Sequence, residues 1–254
     1  MSNPLAPGSL DGKRVLVTGS SRGIGADTVA YFAAAGARVV INFRNKEARA
    51  VKLATAIRTA GGTAITVGAD LTDADSVSAM FDTITAEYGG LDILVMNASG
   101  GMESGMAADY AMVLNRDAQV NLLTRAIPVL SEGARVVFVT SHQAHFIAST
   151  PTMPEYEPVA RSKRAGEDAL RALVPQLDAA QIEFVVVSGD MIEGTITATL
   201  LERANPGAIS ARKDSAGRLY NVSEFAAEIA LAAVEQVPEN HTRYVGDTSD
   251  FTLG

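Results

Sequence analysis

The chain has 254 residues, 47% hydrophobic and 20% charged, a length and balance suited to a large buried core. Its net charge of −8 argues against non-specific nucleic-acid binding, and the absence of cysteine excludes disulfides and thiolate metal sites. Three histidines, His142, His145 and His241, leave little material for a transition-metal site, and no apolar run is long enough to span a membrane.

The first dozen residues, Met1 to Gly12, are polar and carry prolines without the apolar core of a signal peptide, so a cytoplasmic protein is expected. Arg14–Thr18 reads as a buried strand, followed by a glycine turn and a helix over Ile24–Ala35 that stops at Gly36. Arg38–Asn42 is a second strand, and Glu47–Ala60 a helix closed by Gly61-Gly62. Thr63–Gly68 is a third strand, and Asp73–Tyr88 a helix with an acidic start. Leu91–Met96 is a fourth strand, Tyr110–Leu130 a long helix and Arg135–Thr140 a fifth strand. A proline-bearing loop over His142–Glu157 precedes a helix from Val159 to about Leu177. Ile182–Ser188 is the sixth strand, Ile196–Ala204 and Ser223–Gln236 are helical, and Thr242–Val245 is a short last strand. Alternating strands and helices, with near-continuous apolar strands, predict one doubly wound α/β domain over 1–254, a parallel sheet with helices on both faces. Ligands in such folds sit beyond the carboxyl ends of the strands, so those ends are read as the site.

The first strand ends in Thr18-Gly19-Ser20-Ser21-Arg22-Gly23-Ile24-Gly25, where glycines allow a sharp turn and the following helix aims free N–H groups at an anion. The second ends in Asn42-Phe43-Arg44. A carboxylate there would suit a ribose 2′-hydroxyl, and a cation a 2′-phosphate. The chain offers Arg44, with Arg22 beside it, unless both are merely solvated surface charges. After the third strand, Asp70-Leu71 could accept from an adenine amino group or simply start a helix. Asn97-Ala98-Ser99-Gly100-Gly101 follows the fourth strand and Thr140-Ser141-His142 the fifth.

These residues resemble the short-chain dehydrogenases/reductases along almost the whole chain. Thr18–Gly25 is similar to that family's T-G-x-x-x-G-I-G cofactor turn, and Asn97–Gly100 to its N-A-G segment. Asn115 resembles the asparagine of its catalytic tetrad, Ser141 its serine, and Ser162-Lys163 the end of its Y-x-x-S-K motif. The resemblance implies a Rossmann-like sheet of about seven strands and hydride exchange with a nicotinamide cofactor, NADP(H) in preference to NAD(H). Gly19, Ser21, Arg22, Gly23, Ile24, Gly25, Arg44, Asp70, Leu71, Asn97, Ala98, Gly100 and Lys163 would bind it, with Gly189, Ile192 and Thr195 after the sixth strand. Ser141 would polarise a carbonyl and Asn115 would hold a relay water. Lys163 would hold the ribose and favour the phenolate of a proton-passing tyrosine.

The sequence departs from that pattern at the tyrosine. Val159 stands four residues before Lys163, where the family has tyrosine, and valine transfers no proton. The nearest tyrosine, Tyr156, is seven residues before Lys163, between Pro154 and Pro158. On a continuous helix that offset is roughly 10.5 Å along the axis. Pro158 suits a first helical turn and biases Glu157 away from helical geometry, so Tyr156 is expected in the loop before the helix. There it either folds back to act as the acid/base or pins the loop as a buried aromatic. The stretch from Ser141 to Lys163 is also longer than this family's, with the extra residues in Ala144–Pro158.

His142 and His145 are alternative proton donors, although His142 directly follows Ser141 and on an extended segment would point away from it. No G-x-S-x-G elbow surrounds Ser141, which disfavours a serine hydrolase. After the sixth strand stands Ser188-Gly189-Asp190-Met191-Ile192-Glu193, where the family has Pro-Gly. Asp190 and Glu193 either put negative charge near the site or cap the next helix. Residues 190–220 would form a substrate lid, with Leu200, Leu201, Ile209 and Leu219 lining an apolar pocket or packing in the core. The expected function is an NADP(H)-dependent interconversion of a small-molecule carbonyl and alcohol, in a homodimer or homotetramer. The alternative, motivated by Val159, is a non-catalytic NADP(H)-binding sensor or partner.

Overall fold

Seven segments pair in parallel into a single sheet, because the central ones are apolar and buried on both faces and each is connected to the next by a crossover that carries helices. The structure is a computed structural model that describes residues 2–103 and 105–252. In chain order the elements are β1 (Arg14–Val17), α1 (Gly23–Ala34), β2 (Arg38–Phe43), α2 (Glu47–Thr59), β3 (Thr63–Gly68), α3 (Ala74–Tyr88) and β4 (Leu91–Met96). They continue as α4 (Tyr110–Met112), α5 (Ala118–Ala126), β5 (Leu130–Ser141), α6 (His142–His145), α7 (Glu157–Arg171), α8 (Val174–Ala179) and β6 (Glu183–Gly189). The chain closes with α9 (Ile196–Ala204), α10 (Ala208–Ala216), α11 (Val222–Ala232), β7 (Thr242–Val245) and α12 (Ser249–Thr252). The strand order is β3-β2-β1-β4-β5-β6-β7, so the order reverses between β1 and β4. A crevice opens at such a reversal.

Alternation along the strands divides the core in two. Val15 and Val17 pack with Val29 and Phe32 of α1 and Phe225 and Ile229 of α11. Leu16 packs on the other face with Met80 and Ile84 of α3, Leu122 and Leu123 of α5, and Leu170 of α7. Helix α3 shows how local chemistry sets an element's ends. The Asp73 carboxylate accepts from the Asp75 and Ser76 N–H groups, and Gly89 closes the helix at φ +79°.

Several elements differ from their sequence-based expectation: β5 begins at Leu130 rather than Arg135, and the helices over Ala208–Ala216 and Ser249–Thr252 were not expected. The long helix expected over Tyr110–Leu130 is interrupted by a π turn over Val113–Asp117 and ends in a 3-10 turn over Ile127–Val129 that contains Pro128. The helix expected from Val159 begins at Glu157, with Pro158 in its first turn, where no N–H is needed. It stops at Arg171 because Pro175 starts a separate helix, α8. The loop expected after Ser141 opens with the short helix α6.

Candidate active site

At the sheet's reversal, Thr18 joins the ends of β1 and β4. Its Oγ1 accepts from the Asn97 and Ala98 N–H groups, both at 3.0 Å, and Asn97 Nδ2 donates to its carbonyl at 2.9 Å. The Gly19 N–H donates to Asn42 Oδ1 at 3.1 Å, which ties the glycine turn to β2. The residues fit a dinucleotide phosphate on two observations. Gly23 has φ +55° with open space where a Cβ would stand, and the N-terminus of α1 has no side-chain cap. Gly25 allows helix and strand to meet, since a Cβ there would lie 2.7 Å from Asn97 Nδ2. Ser21, Ala98 and Gly100 are partly exposed around the turn, Leu71 is buried beneath it, and Ile24 lines the cavity described below.

Arg22 and Arg44 are exposed at the ends of β1 and β2. The Arg44 guanidinium bonds to the Tyr110 hydroxyl and lies 5.8 Å from the centre of that ring. Asp70 uses Oδ1 to accept from the N–H and hydroxyl of Thr72, at 3.0 and 2.7 Å.

Ser141 ends β5 and caps α6, its Oγ accepting from the Ala144 N–H at 3.3 Å. The Tyr156 hydroxyl lies 3.0 Å from Ser141 Oγ, and its ring is buried at 4% exposure. Tyr156 immediately precedes α7, and its carbonyl accepts from the Ala160 N–H at 2.9 Å. Val159 is buried with Tyr156, Ala144 and Met191. Lys163, one turn further along α7, is half-buried and lines the same cavity as Ser141 and Tyr156.

Asn115 is buried inside the π turn, and its side chain is fully committed. Nδ2 donates to the Gly100 carbonyl at 2.8 Å and to Ser162 Oγ at 2.9 Å, and Oδ1 accepts from the Gly100 N–H at 3.2 Å. The side chain thus clamps the loop after β4 to α7 and is not among the residues that line the cavity. The Asn115 carbonyl packs directly on Gly166 of α7, where an added Cβ would stand 2.0 Å from the oxygen.

The cavity measures about 150 Å³ and is walled by Ser141, Gln143, Tyr156, Lys163, Asp190 and the strand and lid residues around them. Ile192 and Thr195 line it, and Gly189 packs on Phe225, to which an added Cβ would come within 2.4 Å. Of the apolar residues 200, 201, 209 and 219, Leu201 faces the cavity, whereas Leu219 and Ile209 pack in the small core beneath it. Capping by Asp190 or Glu193 does not occur: Thr195 caps α9 through the Ala198 N–H. Asp190, with a side chain only 3% exposed, pairs with Arg212 of α10 at 2.8 Å, and Arg212 also reaches Asp250 of α12. Glu193 pairs with Lys213 at 3.2 Å.

Neither candidate histidine lines the cavity. His142 is wholly buried, with Nδ1 2.8 Å from Ser188 Oγ, and burial pushes its pKa down to about 4. His145 lies with Nδ1 2.9 Å from buried Glu167 and Nε2 3.1 Å from the Tyr244 hydroxyl. Burial alone would raise the Glu167 carboxyl, but bonds from His145 and Arg171 prevail and hold it below its ordinary value. Arg164 of α7 donates to the His145 carbonyl at 2.8 Å, so the helix that carries Lys163 is bolted to the segment that follows Ser141. Sequence reading missed two site residues, Gln143 and Arg212. The first carries no motif, and the second reaches the site only through the packing of α10.

The profile of the family described as short chain dehydrogenase matches residues 13–205. A short chain dehydrogenase/reductase of Aspergillus novofumigatus, nsrJ, is 33% identical over 204 residues, 78% of this chain and 74% of that protein. The short chain dehydrogenase claC of Passalora fulva is 36% identical over 143 residues, 54% of this chain and 53% of that protein. The crystal structure of a short chain dehydrogenase from Burkholderia cenocepacia J2315 in complex with NADP superposes with a TM-score of 0.76 at 27% identity, covering 93% of this chain and 97% of the other. No helix among the described residues is long and apolar enough to cross a membrane. The seven-stranded parallel sheet, the glycine turn at its reversal and these likenesses lead to one conclusion: the chain belongs to the short-chain dehydrogenase/reductase family of oxidoreductases.

Proposed function

We propose that this chain is an NADP(H)-dependent oxidoreductase that interconverts a carbonyl and an alcohol, with Tyr156 as its proton-transferring group. The observation that carries this reading is the 3.0 Å approach of the Tyr156 hydroxyl to Ser141 Oγ in a cavity shared with Lys163. The displaced tyrosine thereby reaches the serine that Val159 cannot. The glycine turn with Asn97, Ala98 and Gly100 would hold the cofactor, Asp70 and Leu71 its adenine end, and Ile192 and Thr195 its nicotinamide end. Arg22 and Arg44, with no carboxylate at the end of β2, favour the 2′-phosphate of NADP(H) over the bare ribose of NAD(H). The nicotinamide supplies or accepts the hydride.

The protein's own part is binding and proton handling. Ser141 Oγ already accepts from the Ala144 N–H, so its hydroxyl hydrogen is left to donate to the substrate oxygen. The Tyr156 O–H then gives its proton to that oxygen in reduction, and the phenolate takes it back in oxidation. Lys163 would hold the ribose hydroxyls. Asn115 sets the distance between the Gly100 loop and α7, and a relay water would meet its main chain rather than its occupied side chain. Residues 190–220 would form the substrate lid, held down by Asp190–Arg212. Family likeness also supports a homodimer or homotetramer built through α5 and α7, which sedimentation would read directly.

The test is turnover of a ketone panel by the purified chain with NADPH and with NADH, alongside cofactor titration. Reduction that prefers NADPH supports the proposal. NADPH binding without turnover of any ketone would instead favour the non-catalytic sensor, the reading that Val159 motivates.

A further inference from the structure

Each buried polar side chain on the cavity wall can be asked what satisfies it, because an unpaired one is costly. Asn97 is bonded to Thr18, Thr195 to Ile192 and Ala198, Asp190 to Arg212 and the Met191 N–H, and Ser141 to Ala144 and Tyr156. Two side chains are exceptions among the described residues: Thr140, whose Oγ1 is fully enclosed without a partner and so out of a ligand's reach, and Gln143. Gln143 lines the cavity at 9% exposure, and its carboxamide makes no hydrogen bond among the described residues. It is the second residue of α6, the helix that Ser141 caps. Two helical residues advance only about 3 Å along the axis. Ser141 and Gln143 line the same cavity of about 150 Å³, so the carboxamide works close to an oxygen held by Ser141.

Charge narrows the occupant further. The cavity's carboxylate, Asp190, is already neutralised by Arg212, and its lysine, Lys163, is assigned to the cofactor. Among the described residues no other cation lines the wall to receive an anionic substituent. A carboxamide both donates and accepts, so it can satisfy a hydroxyl or a second carbonyl equally.

Resting on the oxidoreductase reading above, we propose that Gln143 grips a second oxygen of the substrate. The preferred substrates are then neutral hydroxyketones and diketones, and the corresponding diols, with that oxygen on the carbon next to the reacting one or the next but one. Gln143 is a specificity residue rather than a participant in proton transfer.

The experiment compares cyclohexanone with 2-hydroxycyclohexanone as substrates, with NADPH, in the unmodified protein and in Gln143→Leu. The proposal expects the unmodified protein to favour the hydroxyketone in kcat/KM by roughly 10- to 100-fold, the range of one well-made hydrogen bond to the substrate. Gln143→Leu is expected to bring that ratio close to one, whatever its absolute rates. A ratio near one in the unmodified protein, or a ratio that survives in Gln143→Leu, overturns the proposal. Should neither ketone turn over, the reductase reading is what fails, and binding decides the role of Gln143 separately. The thermal shift caused by 1,2-cyclohexanediol over that caused by cyclohexanol, both with NADP⁺, should then be larger in the unmodified protein than in Gln143→Leu. Equal shifts overturn the proposal.

Discussion

Mild acid should destabilise this protein through one residue, His142. Its ring is wholly buried, lies edge-on to Phe251 and Phe146 at 5.5 and 6.1 Å between centroids, and bonds to Ser188 through Nδ1. Burial is the main force that lowers its pKa from 6.5 to about 4, Arg212 and His145 push the same way, and Asp190 opposes them. The unfolded chain takes up a proton near pH 6.5, while the fold refuses it until about pH 4. Stability therefore falls as the pH drops through that interval. At 1.36 kcal/mol per pH unit the whole interval is worth about 3 kcal/mol, of which about 2 kcal/mol is lost between pH 7 and pH 5. Glu167 and Asp92, held below their ordinary values of 4.5 and 3.8, add acid sensitivity only at lower pH. Urea unfolding at pH 7 and pH 5 reads the difference. His142→Asn keeps a polar partner for Ser188 without a titrating ring, and its stability should change by less than about 0.5 kcal/mol over that range. Equal losses in the variant and the unmodified protein would refute the assignment.

Other expectations are more local. Arg44→Ala should raise the KM for NADPH by roughly tenfold or more, the worth of a charged hydrogen bond, and leave that for NADH nearly unchanged. Equal effects on the two cofactors would remove Arg44 from the 2′-phosphate site. Gly166→Ala would put a methyl 2.0 Å from the Asn115 oxygen, so it should lower unfolding stability by about 1–3 kcal/mol. A neutral result would mean that the π turn yields freely. Arg212→Gln breaks the ion pair to buried Asp190 and should raise the substrate KM more than the cofactor KM. The opposite order would place Asp190 and Arg212 outside the substrate side.

Much of the fold was legible because its signals are local. The apolar strand runs and the glycines after Val17, Thr59 and Tyr88 mark chain reversals without tertiary help, and Thr242–Val245 matches the observed last strand residue for residue. The π turn was not legible. It follows from Asn115 bonding to Gly100 and Ser162, partners distant in the chain. Pro158 was read both as a first-turn residue and for its bias on Glu157; it does sit in the first turn, and that position outweighs the bias, so Glu157 is already helical. At the site, the two prolines around Tyr156 located it just ahead of the helix. Its reach to Ser141 depends on α6 and α7 packing side by side, which Arg164 and Glu167 secure through His145. Gln143 was invisible for a related reason. Only the short helix capped by Ser141, expected as loop, aims it into the cavity.

The most direct measurement of the central claim is steady-state turnover of Tyr156→Phe with NADPH and a ketone that the unmodified protein reduces. Phenylalanine fills the same buried space and removes only the hydroxyl that approaches Ser141 at 3.0 Å. The account predicts a fall in kcat of roughly 10²- to 10⁴-fold, the share of a positioned proton donor, with NADPH affinity retained. Turnover at the unmodified rate in Tyr156→Phe would contradict it and leave the proton to another donor.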